Sequence, residues 1–139
     1  MDKNNFQQTY PARPEELARM RAELRLVLQS WGVNKEDMDN IVLAVSEGCM
    51  NVIQHAYEGM DEGLYSISLE WEEGQIRIGI QDSAPAIDIH KIIPRNLDDI
   101  KPGGLGVHFI HEIMDEVKYQ VLPHGKGNLL TMKKSLASD

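Results

Sequence analysis

The order of patterns along the chain predicts a two-layer α+β fold, a mixed and mostly antiparallel sheet covered on one face by three helices. Three observations carry this. Apolar residues recur at helical spacing over two early stretches. They then alternate with period two on both sides of a tight turn. A third helical stretch is followed by two further alternating ones. Strands linked by hairpins pair antiparallel, and amphipathic helices need an apolar sheet face to cover.

Taken in order, residues 3–10 alternate weakly and open the sheet as a strand. Pro11 and Pro14 interrupt the pattern, and Pro14 suits the first turn of a helix. Over residues 15–29, Leu17, Met20, Leu24, Val27 and Leu28 fall at three- and four-residue spacing, and Gly32 follows as a stop. Asn34 can cap a second helix, with Glu36 and Asp37 at the positive end of its dipole. That helix is expected to reach about Tyr57. Leu64, Ser66, Ser68 and Glu70 alternate with Tyr65, Ile67, Leu69 and Trp71, and residues 76–80 do the same beyond Glu73-Gly74, so a hairpin is expected. Residues 83–104 have no period and hold Pro85, Pro94, Pro102, Gly103 and Gly104. A connection of this length without structure is uncommon in a compact domain and is usually functional. A helix is expected over 105–114, then strands over 116–122 and 129–134 around a turn from Pro123 to Gly127.

The 139 residues are read as a single domain, 1–139, large enough for a core without disulfide or metal staples. A formal charge of −8 opposes sequence-independent nucleic-acid binding, which rests on Lys and Arg. A nucleotide remains open, because helix N-termini and backbone amides hold phosphate without net positive charge. The single cysteine, Cys49, removes any disulfide framework and any cysteine-rich zinc site. No apolar run reaches the roughly 20 residues of a membrane helix, and the first residues lack a signal-like apolar stretch. The expectation is a cytoplasmic protein without membrane contact.

Three places could carry chemistry. On the second helix, Ile41, Val45, Cys49, Val52 and Ala56 form a stripe toward the sheet, with Glu47, Asn51 and Gln54 on the opposite side and His55 at its edge. By itself this polar side is what a solvated helix face looks like. Asp82 ends the strand over 76–80; it either starts a turn or places a carboxylate in a crevice, able to accept from an exocyclic amine. Lys101-Pro102-Gly103-Gly104-Leu105-Gly106-Val107 precedes a helix, where glycine amides and the dipole favour an anion. It lacks the Lys-Ser/Thr ending of a P-loop and does not follow a strand, so neither common nucleotide-binding loop applies.

Together the three are more specific. Glu47, Asn51 and His55 in Glu-Gly-Cys-Met-Asn-Val-Ile-Gln-His-Ala-Tyr, then Asp82, Gly103-Gly104-Leu105-Gly106 and Gly127-Asn128-Leu129-Leu130-Thr131 resemble the N, G1, G2 and G3 boxes of the ATPase superfamily of gyrase, histidine kinases and mismatch-repair proteins. Within it, the chain resembles the bacterial anti-sigma factor serine/threonine-protein kinases, over about residues 8–135. The resemblance implies the Bergerat-type ATP-binding fold, with ATP and magnesium as ligands and an ATP lid over 87–104. It implies Asn51 as the magnesium-holding residue and Glu47 as general base toward the attacking hydroxyl. Asp82 would bind the adenine amine and Thr131 would assist it. Gly104, Leu105 and Gly106 would bind phosphate through the amides around them. For His55, a structural hydrogen bond and a catalytic role are both open. The implied partners are an anti-anti-sigma antagonist protein as substrate and a sigma factor, and a homodimer is expected.

One departure stands out. Where the superfamily's G1 box has two glycines, this chain has Ala84 and Ala86. Alanine need not block the base if its φ is negative, but it bears on affinity. The alternative reading is therefore a non-catalytic module of the same fold that sequesters a partner, with ATP as a structural ligand or with none.

Overall fold

The computed structural model describes residues 4–56, 63–84, 110–123 and 127–136, with backbone alone for 55 and 56. The expected lid over 87–104, Ala86, the stretch with Gly104, Leu105 and Gly106, and the side chain of His55 lie outside the described residues.

Five strands form one sheet in the order β1 (Asn5–Pro11), β2 (Leu64–Glu72), β3 (Gln75–Asp82), β5 (Asn128–Ser135), β4 (Glu116–Val121). All four pairings are antiparallel, so the mixed component expected of the sheet is not found among the described strands. The β2–β3 hairpin turns on Glu73 and Gly74, both at positive φ (52° and 75°). Two such residues give the backbone twist that matches the flanking strands.

Both early helices form where expected. A 3-10 turn, Pro14–Glu16, leads into α1 (Leu17–Ser30), which buries Leu17, Met20, Leu24 and Leu28. Helix α2 (Lys35–Asn51) starts at Asn34, whose side chain accepts from the Asp37 amide at 2.8 Å. A cap of this kind is worth about 1 kcal/mol. Beyond Asn51 the helix widens into a π-helical turn, Val52–Ala56, a local form that recurs at functional sites. Residues 110–113 are helical, in agreement with the end of the third helix.

Strand register arranges the helix-facing side of the sheet into rows. Phe6, Leu69, Ile78, Met132 and Val117 lie side by side across all five strands, and Gln8, Ile67, Ile80, Leu130 and Tyr119 form the next row. The row beyond is Tyr10, Tyr65, Asp82, Asn128 and Val121, where the apolar face turns polar. Ile41, Val45, Cys49 and Val52 of the expected stripe are buried in the core, which forms one continuous cluster. Burial pushes the Cys49 thiol up to about 12, opposed by the adjacent Tyr65 hydroxyl. It behaves as a small core residue.

The opposite side of α2 departs from expectation. Ser46, Gly48 and Asn51 are buried, and Asn51 is only 6% exposed. Helix α2 packs on α1 as well as on the sheet, which leaves little of its circumference to water. Of the expected polar side, Asn51 is enclosed, Glu47 is half-buried and Gln54 remains exposed.

Candidate functional site

The last turns of α2 lie over the polar end of the sheet because Gly48 lets them approach. A Cβ there would come within 2.7 Å of Ile80 Cδ1 and 3.1 Å of Leu130 Cδ2. Between the helix and the sheet edge is a crevice walled by Gly48, Asn51, Asp82, Tyr119, Asn128 and Leu130, among others.

Asp82 is 3% exposed. Its Oδ1 accepts from the Asn128 side-chain amide and from the Ala84 backbone N–H, both at 2.9 Å, and the Asn128 backbone N–H also donates to it. A carboxylate has about four acceptor positions, so it retains capacity for a further donor. Burial raises its carboxyl above the usual range, opposed by the bonds from Asn128 and Ala84. The pairing depends on Gly127, at φ +143°, where a Cβ would stand 2.2 Å from the Asp82 carbonyl oxygen. A side chain there would hold β5 away from Asp82. Ala84 is buried and does not lie at positive φ, so alanine at this position costs no backbone strain.

Asn51 reaches the same crevice, and its buried Nδ2 has no hydrogen-bond partner. A buried amide left unpaired costs free energy, and each such group asks for an explanation. Glu47 lies one turn earlier on the same face of α2, half-buried and outside the crevice wall. Burial raises its carboxyl above the ordinary value, which makes the carboxylate a stronger base. Among the described residues, no cluster of three or more His, Cys, Asp or Glu side chains could hold a metal. Asn51 and Glu47 are oxygen donors of the kind a magnesium ion takes when it shares its shell with phosphates and water.

The structure brings Asn51 and Asp82 to one crevice, with Glu47 one turn earlier on α2 and outside its wall. It does not bring Thr131. That residue pairs with Gly79 on β3 and lies on the face away from the helices. The position beside Asp82 belongs to Asn128, which the sequence reading left without a role. Parity along β5 was the available signal: Asn128 shares a face with Leu130 and Met132, and Thr131 does not. Tyr119 is another wall residue that the sequence gives no role.

Comparison with known proteins identifies the family. The profile of the histidine kinase-like ATPase domain matches residues 10–134. A serine-protein kinase RsbW from Bacillus licheniformis is 31% identical over 119 residues, covering 80% of this chain and 74% of that one. The protein of the same name from Staphylococcus aureus is 34% identical over 116 residues, covering 77% and 73%. Among solved structures, the RsbU and RsbW domains of a Mycobacterium tuberculosis protein superpose with a TM-score of 0.71 at 19% identity, over 97% of this chain and 33% of that longer one. The catalytic domain of the histidine kinase ThkA superposes at 0.57 and 13% identity, over 95% and 99%. These two show a shared fold. No described helix is long and apolar enough to cross a membrane. With the family profile running from the inner end of β1 to the end of β5, the chain belongs to the histidine kinase-like ATPase domain family.

Proposed function

We propose that this chain is an ATP-dependent serine/threonine-protein kinase that acts as an anti-sigma regulatory factor and phosphorylates a small antagonist protein. The observation that carries the reading is the buried, unpartnered Asn51 amide at a crevice whose floor holds the Asp82–Asn128 pair, with Glu47 one turn away. The names of the relatives, serine-protein kinases, support the activity.

In this reading Asp82 accepts from the adenine amine, steadied by Asn128 and the Ala84 N–H. Asn51 would orient the triphosphate and hold magnesium, and phosphate binding by the amides around Gly104, Leu105 and Gly106, with a lid over 87–104, is carried by the resemblance alone. When bound, magnesium neutralises phosphate charge. Glu47 takes the proton from the attacking serine or threonine hydroxyl. Phosphoryl transfer needs mainly positioning and charge neutralisation, and α2 supplies both residues from one rigid face. The added phosphate brings about −1.5 to −2 charges, enough to alter an interface with a sigma-factor-bound complex. A homodimer belongs to the same reading, and so does a cytoplasmic location.

The test pairs two measurements. ATP titration by calorimetry, with and without magnesium, is expected to show magnesium-dependent binding. Glu47→Gln is expected to keep that binding while phosphate incorporation into a cognate antagonist slows about 10²- to 10⁴-fold. Wild-type phosphorylation by Glu47→Gln would remove the mechanism. ATP binding by the wild type without any phosphate transfer would leave the non-catalytic module.

A further inference from the structure

Tyr119 walls the crevice from β4, directly across from Leu130 in the strand register. Its ring is tilted 35° to that of His111, with centroids 6.2 Å apart. Its hydroxyl is closed off from solvent and has no hydrogen-bond partner. Buried tyrosine hydroxyls usually find one, and a phenylalanine here would fill the same space without an unpaired polar atom. Burial pushes the hydroxyl up to about 12, so at neutral pH it is a donor.

The register fixes where the backbone of Tyr119 stands. Tyr119 is two strands from Asp82 and one row back along the sheet, roughly 12 Å from it by strand spacing and rise. A purine held at Asp82 through its amine and a tyrosine side chain together span that distance. The surroundings also select among acceptors. Val121 and Leu130 flank Tyr119 on this face, while Lys118 has the opposite parity on β4. Among the described residues, the side chains that flank Tyr119 along this face are apolar, which suits the nucleoside better than the phosphates.

We propose that Tyr119 is a specificity residue for the nucleoside, its hydroxyl donating to an acceptor on the edge remote from the amine. This rests on reading the crevice as the ATP site. Tyr119→Phe is compared with wild type and with Asp82→Asn by calorimetry with ATP and with ADP, and by thermal unfolding without nucleotide. Tyr119→Phe is expected to weaken ATP and ADP alike by about 5- to 10-fold, with Tm unchanged or raised. Affinity equal to wild type, a loss confined to ATP, or a lowered Tm would each overturn the assignment. If the wild type binds no ATP, the nucleotide reading falls and takes this inference with it. If Asp82→Asn weakens binding and Tyr119→Phe does not, the inference alone falls.

Discussion

The two ends of the sheet close in opposite ways. At the hairpin end, Trp71 pairs with Ile76, and the Trp31 ring lies 6.3 Å from that of Trp71 across the layer. Leu69, Ile76, Ile78 and Met132 are fully buried there. At the other end the same layer buries Asp82, Asn128 and Asn51, and leaves the Asn51 amide nitrogen and the Tyr119 hydroxyl without partners. The hairpin end is completed by the chain's own side chains. The crevice end carries unpaired polar groups that each cost about 1–3 kcal/mol. Such groups are understandable where a ligand completes them, so stability and binding should separate along the length of one sheet.

Substitution at the closed end gives the largest expected effect on stability. Ile78→Ala should cost about 2–5 kcal/mol in denaturant unfolding, and the protein that remains folded should bind ATP as wild type does. A matching loss of affinity would mean that the two ends are not independent. Asn51→Ala should do the reverse. It removes an unpaired buried amide, so stability should stay within about 1 kcal/mol of wild type, while magnesium-dependent ATP affinity and phosphorylation both drop. A large loss of stability would make Asn51 a structural residue.

The smallest effect is the pH dependence. Burial raises Asp82 and Glu47 alike, so each takes up its proton at a higher pH than an exposed carboxylate. The amine of adenine needs the ionised Asp82, and the hydroxyl proton needs the ionised Glu47. ATP affinity and transfer rate should therefore both fall as pH is lowered from about 8 to 5, beginning above the usual carboxylate range. In Glu47→Gln the fall in affinity should persist. Persistence of the pH-dependent affinity in Asp82→Asn would assign it to another group.

Much of the fold was legible because its signals are local. The Asn34 cap, the Glu73-Gly74 turn and the change from helical to alternating period are each set by residues within a few positions of one another. The candidate site was legible in part. Glu47 and Asn51 share a helix face by spacing alone, and Asp82 ends a strand. The burial of Asn51 was not legible, because an amphipathic pattern does not tell a polar face turned to water from one turned to a crevice against the sheet. Thr131, expected to assist adenine binding, stands on the far face for a simpler reason, its parity on β5.

By itself the sequence determined the elements, their order and the residues able to hold a nucleotide, because helical and strand periods and capping chemistry act over a few residues. The tertiary structure decided which of those residues meet. Asn128 and Asp82 are 46 positions apart and stand opposite each other through the β3–β5 register. That register is held by Gly127, whose missing side chain admits the Asp82 carbonyl. Tyr119 reaches the crevice through the β4–β5 pairing in the same way. Register joins distant segments through backbone hydrogen bonds that carry no side-chain signature, so residues are assigned to the crevice only once the sheet has closed.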